Sequence, residues 1–329
     1  MSEARDMERK LASETLLSLA LLVGGLVGVV YAAGVFLSGA VGLANKFGIP
    51  EFIVGSLIVA VGTSAPELAI NLAASFQNQG DVIISNIVGS NIVNLGLGIG
   101  LAGLIIKFDK LPRDYLWSAG VGLFATCAIL SVTIVSSSSD GNSQIGRGFS
   151  LILFGGFVAY TLASLKFSNG DGDDDYEVSQ KRIGILALQL VFGSVAMAVL
   201  ADITVNNAVI LAGTLGIPTA VVGATVIAAG GSLPEVFSCI AAARMGRPKI
   251  VFGNILGSQV FNLLGILGVS GLVGAFNYNT AIKTDILILL AITVVVLLSF
   301  HLTKLRRHLG ILMVGSYLAY AGYLVSISV

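Results

Sequence analysis

Glu67 and Glu235 each follow a proline inside a long apolar run: VAVGTSAPEL over residues 59–68 and IAAGGSLPEV over residues 227–236. Proline has no amide hydrogen, so Pro66 leaves the carbonyl of Gly62 without its helical donor, and Pro234 does the same to Gly230. Thr63, Ser64 and Ser232 add hydroxyls beside the two carboxylates. Downstream of each segment, Asn86, Ser90 and Asn94 recur at every fourth residue, as do Asn254, Ser258 and Asn262, so each triad lines one side of a helix. Asn91 and Gln259 fall one position round. Every candidate ligand is an oxygen, which suits hard cations, and the lack of His and Cys argues against zinc, copper or iron. Two bidentate glutamates plus the Gly62 and Gly230 carbonyls would supply six oxygens, and two negative charges balance one Ca2+. Magnesium, which retains water in a tight octahedron, fits less well.

The elements that hold these groups are membrane spans. The chain has 329 residues, 55% hydrophobic and 11% charged, and a mean hydropathy of +0.94; a soluble domain carries about 25% charged residues. Apolar segments at about 14–40, 52–77, 82–106, 115–137, 145–166, 183–213, 219–243, 250–274, 282–303 and 310–328 reach the roughly 20 residues that cross a bilayer, which predicts ten helices. The N-terminal MSEARDMERKLASE mixes acids and bases and lacks the basic region and cleavage site of a signal peptide, so the first span is expected to be retained. Alternating ten spans puts Arg5, Arg9, Lys10, Arg147 and Lys283 on the side of both termini and the other thirteen Lys and Arg opposite. The positive-inside rule makes the opposite side cytoplasmic and both termini extracellular, in a multi-pass protein of the cell membrane. A net charge of zero suggests no nucleic-acid partner.

The two proline–glutamate segments belong to a repeat. An offset of 168 pairs Glu67 with Glu235, Asn86 with Asn254, Ser90 with Ser258 and Asn94 with Asn262, and extends from Gly48-Ile49-Pro50 against Gly216-Ile217-Pro218 to Gly100 against Gly268. Between 40–100 and 208–268 there are 23 identities in 61 ungapped positions, among them Pro, Glu, Asn and Gly, which chance matching of apolar residues does not supply. Five spans per copy is an odd number, so the second copy enters the membrane from the other side. The predicted architecture is an all-α polytopic protein of two inverted five-helix repeats, 1–166 and 183–329, joined by an acidic cytoplasmic linker at 167–182. The turn Gln77–Asp81 then lies outside and its copy Arg244–Lys249 inside. A buried carboxylate at mid-span costs roughly 2.5 to 3.5 kcal/mol on insertion scales, so each glutamate calls for a cation or a proton.

At these residues the sequence resembles the sodium/calcium exchangers of the cation/calcium antiporter superfamily. GTSAPE with SNIVGSNIVN, and GGSLPE with GNILGSQVFN, look like that family's paired repeat signatures, within blocks 52–100 and 220–268. The resemblance implies that Thr63, Ser64, Glu67, Asn86, Ser90 and Asn94 form one half of an ion site, and Ser232, Glu235, Asn254, Ser258 and Asn262 the other. It implies antiport of Ca2+ against several Na+ by alternating access, with the first and sixth spans moving against the rest, no cofactor, and a monomer sufficient for transport. H+/Ca2+ exchange through protonatable Glu67 and Glu235 is the alternative. Two positions depart from the family: Gly231 replaces a threonine and Asn262 an aspartate often found there, which bears on sodium coupling.

The remaining polar residues have plainer readings. Asp202, with Asn206 and Asn207 one turn on, is expected to be structural or at a vestibule. Cys127 and Cys239 read as small packing residues, and His301 and His308 as a solvated helix end. The linker's Asp171, Asp173, Asp175 and Glu177 alternate as in an EF-hand, but Tyr176 replaces its glycine and Arg182 its final glutamate. No HExxH motif and no Ser–His pair within a span exists, so the chain is not expected to be an enzyme.

Overall fold

The computed structural model describes residues 2–106, 113–136, 141–167, 181–217, 228–302 and 308–328. Most of the expected linker (168–180), Lys107, Lys110, Lys304, Arg306, Arg307 and the start of the span expected over 219–243 lie outside the described residues. In chain order the helices are α1 (Ser2–Phe47), α2 (Glu51–Thr63), α3 (Ala65–Phe76), α4 (Gly80–Ile105), α5 (Arg113–Val135), α6 (Arg147–Phe167) and α7 (Ile183–Thr214). They continue as α8 (Ala228–Gly230), α9 (Leu233–Arg244), α10 (Pro248–Val273), α11 (Lys283–His301) and α12 (Leu309–Ser328).

Among the described residues, eight unbroken helices are long and apolar enough to cross a membrane, and α2 with α3, bent by 48° at Ser64, makes a ninth. Burial sorts them into layers. The most apolar stretch of α10 is wholly buried and that of α4 is 72% buried, against 17% for α7 and α12. The two helices that carry the Asn/Ser ladders are therefore the core. The others turn apolar faces outward, where lipid solvates side chains and not backbone.

The repeat reappears in backbone angles that side-chain type alone does not dictate. The breaks at Ser64 (φ −84, ψ 11) and Ser232 (φ −89, ψ 4) lie 168 residues apart and match. So do the left-handed residues Gly48 (φ 63) and Gly216 (φ 71), and Asn78 (φ 55) and Gly246 (φ 70). Glycine takes that conformation freely, and Asn is among the side chains that tolerate it best. Two π-helical turns, Asn94–Ile99 in α4 and Phe261–Ile266 in α10, widen those helices at Asn94 and Asn262, and a third, Val54–Val59, lies in α2. π turns concentrate at functional sites.

Two contact zones fix the direction of each break. At one end, β1 (Asn142–Ile145) pairs antiparallel with β2 (Phe276–Asn279), a short sheet that the all-α expectation does not contain. Asn279 N–H donates to the Asp81 carboxylate at 2.6 Å and Thr280 N–H to the Gly141 carbonyl at 2.9 Å, so the turn after α3 lies at this end. At the opposite end Arg247, just past α9, forms an ion pair with Glu51 at the start of α2. Helix α3 thus runs from its break toward the sheet, and α9 from its break away from it.

Close packing rests on glycine. α2 crosses α10 backbone to backbone: a Cβ on Gly257 would sit 2.3 Å from the Ser56 carbonyl oxygen, and one on Gly253 2.9 Å from the Gly55 Cα. A second seam joins α1 to α7, where a Cβ on Gly39 would meet the Leu186 carbonyl at 2.7 Å and one on Gly193 the Phe36 backbone at 2.7 Å. Small residues allow such approach in lipid, where dispersion replaces the hydrophobic driving force.

Candidate ion-binding site

Ser64-Ala65-Pro66-Glu67 and Ser232-Leu233-Pro234-Glu235 have the spacing of a capping box, in which the serine would cap its own helix. Neither does so. Ser64 Oγ instead donates across to Glu235 Oε1 at 2.7 Å and lies 3.2 Å from Ser258 Oγ. Thr63 Oγ1 lies 3.0 Å from the Val59 carbonyl and 3.4 Å from Asn254 Oδ1, while Asn254 Nδ2 reaches the Glu235 carbonyl and Cys239 Sγ, each at 3.4 Å. Thr63, Ser64, Glu235, Asn254 and Ser258 are thereby joined directly, from both halves of the sequence.

The mirror-related side is buried yet unbonded. Glu67, 1% exposed, has no hydrogen-bond partner on either carboxylate oxygen, and Ser232 Oγ, Glu235 Oε2, both amide atoms of Asn94 and of Asn262, and Asn86 Nδ2 are likewise unpartnered. Buried polar atoms are almost always hydrogen-bonded, so each of these exceptions calls for a partner such as an ion or a water. Ser90 is buried and Asn86 half-buried on α4. The halves differ most at Thr63 and Gly231: a Cβ on Gly231 would touch only Glu67 Oε1 within 4 Å, at 3.9 Å. The oxygens there belong to carboxylates, amides and a hydroxyl, which is the donor set of a hard cation.

The carbonyls freed by proline behave less simply than the sequence implies. Gly62 O accepts a hydrogen bond from Ser194 Oγ of α7 at 2.8 Å, and Gly230 packs so tightly on Val205 that a Cβ would come within 2.4 Å of its methyl. Ser194 was missed because a lone serine in an apolar helix has no repeat partner to single it out. Asn71, also missed, donates to the Glu67 carbonyl at 2.8 Å; its counterpart at the 168-residue offset is Cys239, the buried neighbour of Asn254. Ser194→Ala should lower the thermal midpoint by about 2–4 °C, the loss of about 1 kcal/mol expected for one hydrogen bond. In a Pro66→Ala background, where residue 66 regains the amide hydrogen that Gly62 lacks, the same substitution should cost less; equal penalties in both backgrounds would show that Ser194 does not replace that donor.

Beside the breaks lies an open cleft of about 370 Å³, walled by α7 and lined by Pro66, Ile70, Asp202, Asn206, Gly231 and Pro234 among others. Ile70 lies one turn beyond Glu67 toward the sheet end of α3, so the cleft adjoins the Glu67 side of the cage.

Residues 17–166 and 185–326 match the family described as "Sodium/calcium exchanger protein". The inner membrane protein YrbG of Escherichia coli (strain K12) is 31% identical over 334 residues, spanning 95% of this chain and 98% of its own. The sodium/calcium exchanger MaX1 of Methanosarcina acetivorans is 29% identical over 341 residues, spanning 91% and 96%. Among solved structures, the sodium-calcium exchanger NCX_Mj soaked with 2.5 mM Na+ and 0.1 mM Sr2+ is similar with a TM-score of 0.76 and 26% identity over 93% of this chain and 98% of that one. The same exchanger soaked with zero Na+ and Ca2+ shares the fold with a TM-score of 0.78, at 24% identity over 94% and 99% of the two chains.

Proposed function

Since the chain belongs to the sodium/calcium exchanger family, we propose that it is a secondary antiporter exchanging Ca2+ for Na+ at a single cage shared by its two halves. The cage comprises Glu67, Glu235, Thr63, Ser64, Ser232, Asn86, Ser90, Asn94, Asn254, Ser258 and Asn262, with the Gly62 and Gly230 carbonyls at its edge. The observation that carries this reading is the set of buried, unpartnered oxygens contributed by both sequence copies, above all Glu67 Oε1 and Oε2 and Glu235 Oε2. Two carboxylates neutralise one Ca2+; exchange against more than two Na+ would move net charge.

The architecture that goes with it is ten helices in two inverted five-helix repeats, 1–166 and 183–329. It is supported by the matched breaks and left-handed turns 168 residues apart, and by the opposite directions in which α3 and α9 leave their breaks. The alternation of the sequence assigns the thirteen Lys and Arg to the side of the Glu51–Arg247 pair, and by the positive-inside rule that side and the 167–182 linker would be cytoplasmic and both termini extracellular. The cleft along α7 reaches Ile70 on the sheet side of the break, which in this orientation would give the cage access from outside. Alternating access follows if α1 and α7, joined along their glycine seam, shift against the core and close the cleft while opening a mirror-related path from inside.

H+/Ca2+ exchange is the second reading, favoured by one observation: Gly231 offers Glu67 no hydroxyl where Thr63 stands in the other half. Purified protein in liposomes decides between them. Ca2+ uptake should be driven by internal Na+ and not by internal K+ or by a pH gradient; uptake that ignores Na+ and follows protons overturns the sodium assignment.

A further inference from the structure

Asp202 is an exposed carboxylate at the wrong depth for a solvated surface residue. On α7, Ser194 bonds to Gly62 and Val205 packs on Gly230, so the stretch between them lies at the level of the two helix breaks. Asp202 falls inside that stretch, about 4.5 Å along the axis from Val205. A charge at such depth persists where it faces a water-filled cavity and serves a pathway. Asp202 does line the cleft, and it is the one charged residue doing so among the described residues. The other walls include Pro66, Ile70, Val205 and Pro234, apolar groups that leave its field little screened. Asn206 Nδ2 donates to Asp202 Oδ2 at 3.0 Å and holds the carboxylate in place, while no donor among the described residues reaches Oδ1. Gly231 lines the same cleft and stands beside Glu67 Oε1, so the cleft ends at the cage.

The geometry points to a recruiting subsite for a hydrated hard cation at Asp202 and Asn206, outside the cage and on the way into it. One carboxylate and one amide are too few ligands to strip a calcium ion, which takes six to eight oxygens. The subsite would raise the local concentration of the entering ion and leave dehydration to Glu67 and Glu235. This inference rests on the antiport reading above, and the experiment separates the two.

Initial Ca2+ uptake is measured in Na+-loaded liposomes against external Ca2+ at several ionic strengths. Asp202→Asn should raise KM for Ca2+ roughly tenfold with kcat within about twofold, and should flatten the salt dependence of kcat/KM. Asp202→Glu should behave as the unaltered protein. Asp202→Cys in a Cys127→Ser background guards against misfolding, because one protein is compared under two labels; the remaining Cys239 is buried. A sulfonate-bearing thiol reagent should restore the low KM and a trimethylammonium-bearing one should not. An unchanged KM in Asp202→Asn, a fall in kcat alone, or indifference to the charge of the label would overturn the subsite. Failure of the unaltered protein to exchange Ca2+ would instead overturn the antiport reading. Repeating the series for external Na+, with Ca2+ inside, tells which ion is recruited: a shift confined to Ca2+ supports a subsite for the divalent ion, equal shifts one for either.

Discussion

Glu67→Gln is expected to abolish Ca2+ exchange in liposomes and, in the absence of Ca2+, to raise the thermal stability of the purified protein. The opposed signs follow from one observation. Glu67 is buried with both carboxylate oxygens unpartnered, so the empty site carries a desolvated acid that nothing repays. An amide of the same shape removes from the interior an acid that must otherwise carry an unpaired charge or take up a proton. It also removes half of the charge that balances Ca2+, and breaking a buried ion pair costs about 3 kcal/mol or more, roughly a hundredfold in affinity. Ca2+ at a hundred times its dissociation constant should stabilise the unaltered protein by about 2.7 kcal/mol and the variant, a hundredfold weaker, by about 0.4 kcal/mol or less. Glu235→Gln should lose exchange equally but gain less stability when empty, because Ser64 already donates to Oε1. Exchange at the unaltered rate in either variant removes the cage. Transport loss without the stability gain in Glu67→Gln would mean that its oxygens are bonded in the empty protein.

How much of this was legible in sequence depends on whether a feature is repeated. Glu67 and Glu235, the two Asn/Ser ladders and the breaks at Pro66 and Pro234 could be read because each has a counterpart at a fixed offset, and the structure joins Thr63, Ser64, Glu235, Asn254 and Ser258 by direct contacts. What has no counterpart stayed hidden. Ser194 is a single hydroxyl on a lipid-facing helix, and its role depends on which carbonyl α7 meets. The capping-box spacing predicts that Ser64 Oγ accepts from its own helix; the hydrogen bond it donates to Glu235 Oε1 joins residues 171 apart and depends on which helix the fold brings alongside, which the spacing does not contain. The π turns at Asn94 and Phe261 are invisible to a four-residue period, which assumes regular helix through both. The β1–β2 pair joins four-residue segments far apart in sequence, too short to show alternation.

Gly257→Ala is expected to be among the most damaging single methyl additions among the described residues. The added Cβ would lie 2.3, 2.5 and 2.8 Å from the carbonyl oxygen, Cα and carbonyl carbon of Ser56. All three are backbone atoms, so no rotamer change relieves the clash and α2 must move away from α10. Overpacking a core costs about 1–3 kcal/mol where side chains can yield; here they cannot, so at least about 3 kcal/mol is expected. Ser258 follows Gly257 directly and meets Ser64 at 3.2 Å, and Ser64 holds Glu235 at 2.7 Å. Parting the helices therefore pulls the two halves of the cage apart along with the fold. The measurement is the fraction of monodisperse protein recovered from detergent, with Ca2+ affinity of whatever folds. Gly155→Ala is the control: Gly155 is exposed on α6 with nothing within 4 Å of an added Cβ, and alanine is the better helix former, so it should express as the unaltered protein. If Gly257→Ala were recovered as well as Gly155→Ala with Ca2+ affinity intact, the backbone crossing of α2 and α10 would not be what registers the two carboxylates.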